Sequence, residues 1–180
     1  MLLLAFETSA KSCSAALHDG RGLLAESYQN SGLTHSQTLM VMAEDLLKVC
    51  GKSAADVTHL AAAAGPGSFT GIRIGVSAAK GFGWGAELPV YGVSTLESMA
   101  LGLGVWSGHI CCCMDARRNQ VYNAIFLVEN GSLTRVSEDR AIALAAMERG
   151  DCADGAALQP NYLRLSQAER ERMEKLQANK

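Results

Sequence analysis

The sequence lacks most of the patterns that announce a chemistry. It has no G-x-x-x-x-G-K-[S/T] loop, no G-x-S-x-G elbow, no C-x-x-C pair, and no metal-ligand spacing among His18, His35, His59 and His109. These absences argue against a P-loop nucleotidase, an α/β-hydrolase, a zinc ribbon and zincin-type metal catalysis. Long apolar runs are missing too. None approaches the roughly 20 residues of a membrane helix, and MLLLAFETSA turns polar at Glu7 with no basic leader, so it reads as a buried strand rather than an export signal. A soluble cytoplasmic protein with no membrane role is expected. Charge of one sign is also scarce: 18 acidic against 16 basic residues give a net charge of -2, with no long block before the terminal SQAERERMEKLQANK. Without a basic face, strong nucleic-acid binding by this chain alone is not expected.

What is present is a chain of 180 residues, 48% hydrophobic, enough to fill the core of one domain or two small lobes. Leu2–Phe6, Cys13–His18 and Leu23–Gln29 read as an antiparallel meander turning at ETSAKS and at Asp19-Gly20. A helix from His35 to about Cys50 follows, opened by a Thr34-x-x-Gln37 capping box and stopped by Gly51. After a short helical start at Ser53, His59–Ala64 is a strand of small side chains leading into GPGSFTGIRIG. Pro89–Val93 is the next strand, and Ser94-x-x-Glu97 opens a helix to about Leu103. From His109 the pattern begins again: strands Ile110–Asp115, Val121–Val128 and Leu133–Val136, then a helix over Glu138–Arg149. The boundaries predicted are a first lobe over 1–104 and a shortened second lobe with a terminal helix over 105–180. The second copy is expected to be short of residues around Gly150 to Gly155, or to be a truncated lobe with an exposed sheet edge.

Three features carry candidate function. Gly65-Pro66-Gly67 lies between a strand and a helix, where backbone N–H groups suit an anion, although G-x-G-x-x-x-G misses the dinucleotide spacing by one residue. A plain strand-to-helix turn is the competing reading. Gly71, Gly75, Ala79 and Gly83 recur every fourth residue along one helical stripe, suited to close packing on the chain's own sheet or on a partner helix. Phe69, Ile72, Val76 and Lys80 form a bulkier ridge beside it. Glu7-Thr8-Ser9 and Asp115 occupy equivalent strand ends in the two repeats, as the halves of a duplicated nucleotide-binding fold would, though polar turns are common without function. Cys111, Cys112 and Cys113 lie in an apolar run and read as small core residues of a reducing compartment.

ETS, HSQTLM, GPGSFTGIRIG, VSTLESMA, MDARRNQVY and YLRLSQAERER together resemble the TsaB family over nearly the whole chain. The resemblance implies an α/β fold of duplicated βββαβα actin-like (RNase H-like) lobes, the second incomplete here. It also implies a role in making threonylcarbamoyladenosine beside the tRNA anticodon, as the non-catalytic relative of TsaD. TsaD holds a metal through two histidines in a motif like VNHLEAH. Here the stretch reads Val93-Ser94-Thr95-Leu96-Glu97-Ser98-Met99, so Thr95 and Met99 stand where the histidines would be, and neither replaces imidazole as a metal ligand.

The resemblance further implies a helical interface made by His35, Leu39, Met42 and Leu46 with Ser68, Phe69, Ile72, Arg73, Val76 and Lys80. The partners it implies are TsaD as a heterodimer, TsaE through that complex, a second copy when alone, and tRNA only within the complex. No cofactor is expected on this chain alone, with ATP or ADP a candidate in the complex. The alternative is a weak nucleotide-hydrolysing enzyme using Glu7, Thr8, Ser9, Gly65, Gly67 and Asp115. A metalloprotease reading lacks ligands and ranks last.

Overall fold

The computed structural model describes residues 1–103 and 105–143. The chain divides into two compact units, Met1–Gly104 and Val105–Lys180.

The first unit runs β1 (Leu3–Glu7), β2 (Cys13–His18), β3 (Leu23–Gln29), α1 (His35–Val49), a 3-10 turn (Ala54–Asp56), β4 (His59–Gly65), α2 (Phe69–Ala86), β5 (Val90–Ser94) and α3 (Thr95–Leu101). Its five strands lie in the order β3-β2-β1-β4-β5. β1, β2 and β3 are antiparallel neighbours, whereas β1, β4 and β5 are parallel. The change of direction follows from the connections. A tight turn suffices between β2 and β3, where Asp19 Oδ1 accepts from the N–H groups of Arg21 and Gly22 and Gly20 takes a φ of 89°. Parallel partners need a crossover, which α1 and α2 supply.

Alternation along the strands sends Leu4, Phe6, Cys13, Ala15, Leu17, Leu60 and Ala62 into one core, beneath Leu39, Met42, Ala43, Leu46 and Leu47 of α1 and Ala79 of α2. Ala61 and Ala63, on the other side of β4, are buried as well, and α3 packs against β4 and β5. Helix ends follow local chemistry, with one difference from expectation. Ser53 and Asp56 form a reciprocal capping box, and Ser94 Oγ accepts from Glu97 N–H. Thr34 does not cap α1 with its side chain; its hydroxyl instead donates to Gln37 Oε1 at 2.8 Å. The second partner of the expected box has captured the hydroxyl. α2 runs past Gly83 to Ala86 and stops at Glu87, which is left-handed at φ 55°.

The second unit, over its described residues, is an antiparallel sheet of β6 (Gly108–Arg117), β7 (Gln120–Glu129), β8 (Ser132–Arg135) and β9 (Arg140–Ala143). Asn130 and Gly131 both have positive φ, as a two-residue hairpin of this twist requires. The helix expected from Glu138 is corrected: Arg140–Ala143 pairs with Gln120–Asn123 as a strand. β8 covers only the far half of β7, so the near half would otherwise leave N–H and C=O groups unpaired, and that demand overrides the helix propensity of the alanines. The reading of three core cysteines is corrected too, because alternation buries Cys112 and leaves Cys111 exposed. The expected remainder of that helix, the gap around Gly150 to Gly155 and the helix from Ser166 lie outside the described residues.

Candidate docking face and the turn behind it

The turn after β1 is closed by hydrogen bonds within the first unit. Glu7 Oε1 accepts from Ser9 N–H at 2.6 Å, Thr8 Oγ1 donates to Gly71 C=O at 2.7 Å, and Ser68 N–H donates to Ser9 C=O at 2.6 Å. Thr8 and Ser9 are only 1% and 2% exposed. The glycines opposite are demanded by this contact. A Cβ on Gly67 would stand 2.5 Å from Ser9 O and 2.7 Å from Ser9 Cβ; one on Gly71 would collide with Thr8 O, and one on Gly75 with Thr8 Oγ1. The first amide of the α2 approach, Ser68 N–H, and the Gly71 N–H, held by Ser68 Oγ at 3.2 Å, are already engaged.

Thus Glu7, Thr8, Ser9 and Gly67 do come together, with Glu7 bonded to Ser9, and Thr8 and Ser9 bonded to Gly71 and Ser68 at the start of α2. Gly65 sits at φ 117°, where an added Cβ would stand 3.4 Å from Ile72 Cδ1. Asp115 belongs to the second unit, where its carboxylate accepts from Arg117 N–H at 2.6 Å and closes its own turn.

α2 has two faces with opposite duties. Gly71, Gly75, Ala79 and Gly83 are its buried residues, and a Cβ on Gly83 would strike Val90 Cγ2. The close-packing stripe therefore serves the chain's own sheet. On the other side Phe69 is 59% and Trp84 89% exposed, with Arg73, Ser77 and Lys80 between them, also exposed. The Arg73 guanidinium lies 5.2 Å from the centre of the Phe69 ring. Ile72 and Val76 are half-buried on the flank, and Ser68 is the N-cap. Between α2 and β5, over Ala62, Ala64 and Gly92, runs an apolar groove of about 540 Å³ edged by Lys80 and Trp84.

α1 corrects part of the expected interface. Leu39, Met42 and Leu46 are 1%, 9% and 6% exposed and belong to the core, so they are spoken for. His35 is half-buried with Nε2 3.0 Å from Ala10 O. The exposed large apolar residues of α1 are Met40, Val41 and Val49, with a Glu44–Lys48 ion pair at 2.7 Å whose hydrogen bond holds the Glu44 carboxyl below its ordinary value. Sequence reasoning missed these three and Trp84. The signal was available for Met40, Val41 and Trp84, large apolar residues lying off the buried stripes of their helices, whereas Val49 continues the stripe of α1 and is exposed at its last turn.

On α3, Thr95 is buried with its hydroxyl lacking a hydrogen-bond partner, and Met99 is 41% exposed. Among the described residues no three His, Cys, Asp or Glu side chains come together in a metal-binding group, and no helix is long and apolar enough to cross a membrane.

Comparison with known proteins gives this geometry a family. The model for TsaD, tRNA N6-adenosine threonylcarbamoyltransferase, matches residues 27–173. The tRNA threonylcarbamoyladenosine biosynthesis protein TsaB of Escherichia coli is 37% identical over 79% of this chain and 62% of its own length. The protein of the same name from Bacillus subtilis is 36% identical over 81% of this chain and 63% of its own. The chain thus spans somewhat less than two thirds of these relatives. The solved structure of YeaZ from Pseudomonas aeruginosa superposes with a TM-score of 0.72 at 24% identity, covering 90% of this chain and 99% of that one, which establishes the shared fold. With the family model matching most of its length, the chain belongs to the TsaD-related family, and the relatives it resembles there carry the name TsaB.

Proposed function

We propose that this chain takes part in tRNA threonylcarbamoyladenosine biosynthesis as a non-catalytic docking subunit, pairing with a TsaD-type transferase through the outward faces of α2 and α1. The observation that carries the reading is the exposure of Phe69 and Trp84 on a helix whose opposite face is seated by glycine contacts on the turn after β1 and on β5. Exposed aromatics on a rigid support are what interface anchors look like. The non-catalytic part rests on Thr95 and Met99, which supply a hydroxyl and a thioether where the transferase motif has imidazoles. On this reading TsaE and tRNA are reached through the assembly, any ATP or ADP belongs to the assembly, and a second copy takes the same face when the transferase is absent.

The test uses the full chain and a purified TsaD-type subunit. Trp84→Asp and Phe69→Asp each weaken the complex at least about tenfold, roughly 1.4 kcal/mol, without lowering the unfolding midpoint. Depleting the chain in cells removes threonylcarbamoyladenosine from tRNA, and the wild type restores it where the double variant does not. Unchanged binding by both variants, or intact modification after depletion, defeats the proposal.

A further inference from the structure

Cys111 and Cys113 lie on one face of β6, an edge strand among the described residues, because residues two apart in a strand point the same way. Their sulfurs are 3.8 Å apart. Between them stands Asn123 of β7, 1% exposed, whose amide nitrogen donates to Cys111 Sγ at 3.0 Å, to Cys112 O at 3.1 Å and to Cys113 Sγ at 3.4 Å. The orientation of that amide is set from behind: Arg140 Nε donates to Asn123 Oδ1 at 2.8 Å, and only the oxygen can accept from a guanidinium. A buried side chain is thus aimed at two sulfurs. Core packing alone explains Cys112 but not this arrangement.

We propose that Cys111 and Cys113 form a reversible dithiol–disulfide site that reacts with hydroperoxides. Cys111 is exposed and is the entry thiol. Its thiolate attacks a peroxide oxygen, the O–O bond breaks, and Cys111 becomes a sulfenic acid as hydroxide leaves with the electron pair; for hydrogen peroxide that hydroxide takes the proton Cys111 gave up. The Cys113 thiol then attacks the sulfenic sulfur, forming the S–S bond and releasing water. In total two thiols are oxidised and one peroxide is reduced to two waters. Burial pushes the Cys113 thiol up, against the pull of the Asn123 amide, which suits a resolving thiol that waits protonated. Two residues along a strand span about 6.6–6.8 Å, at the upper end of the roughly 4.4–6.8 Å that disulfides bridge. Such a bond is strained and is readily reduced again.

The fully reduced chain is treated with an equivalent of hydrogen peroxide, denatured, alkylated with N-ethylmaleimide and digested, and the peptide holding residues 108–117 is weighed. The expected peptide is lighter by two hydrogens and carries one alkyl group, on Cys112, instead of three; dithiothreitol returns all three. Cys113→Ser abolishes the bridge and leaves a dimedone-reactive Cys111, whereas Cys112→Ser keeps the bridge. Three alkyl groups after peroxide, or a bridge that survives in Cys113→Ser, overturns the assignment.

Discussion

The turns that end β1 and β6 occupy equivalent places in the two repeats, yet they have been put to different uses. After β1, Thr8 and Ser9 are buried under a glycine-faced helix and bonded to its backbone. Near the end of β6, Asp115 is exposed and its carboxylate accepts from the turn it leads into, in which Arg117, Arg118 and Asn119 all have positive φ. A duplicated position thus carries no duplicated site. One copy is a structural joint and the other a free corner.

The two turns should differ most at Gly71. Gly71→Ala drives a methyl into Thr8 O, a backbone atom that cannot swing away, and should cost about 3 kcal/mol or more in a denaturant titration. Gly81→Ala on the same helix meets nothing within 4 Å and should instead gain up to about 1 kcal/mol. Equal effects at the two positions would mean that α2 is not pinned by its stripe. Next in size, Thr8→Val keeps the shape but removes the donor to Gly71 C=O, and a loss of about 1–2 kcal/mol is expected. Asp115→Ala, the equivalent change in the second unit, should stay within about 0.5 kcal/mol, as exposed positions do; a loss as large as that of Thr8→Val would mean that the two turns are joints of the same kind.

The smallest effect concerns a third strand-end turn. The N–H groups of Arg21 and Gly22 hold the Asp19 carboxyl at about 2, below its ordinary 3.8. Its folded-state value is depressed, so the stability it contributes is present above about pH 4 and is lost as pH falls toward 2. A carboxyl titration followed by NMR should show this midpoint, and Asp19→Asn should flatten the acid limb of stability in that window.

The elements that the sequence revealed best are those whose own residues settle their ends. α1 could be placed from His35 to its Gly51 stop, and the strands of both repeats fell within a few residues of their observed limits, because apolar alternation and turn residues are local. What was not legible is what lies across from a face. The i+4 stripe of α2 was plain, but whether sheet or partner filled it depended on where Thr8 stands, 63 residues away from Gly71. Leu39, Met42 and Leu46 marked the apolar side of α1, which the core claimed, while Met40, Val41, Val49 and Trp84 stayed outside. Periodicity identifies a face but not its occupant. The Arg140–Ala143 segment failed for the opposite reason: its alanines suit a helix, and only the unfilled half of β7 makes it a strand.

The engagement of Thr8 with both Gly71 and Gly75 also works as a detent against sliding. Shifting α2 by one residue along its axis would press Ile72 or Val76 against β1, so the helix can seat in a single register. The spacing from Phe69 to Trp84 then behaves like the teeth of a key, cut to one length by a contact on the far side of the shaft. If that face docks a partner as proposed, a change inside the molecule, with no exposed atom altered, would spoil the docking by moving those teeth.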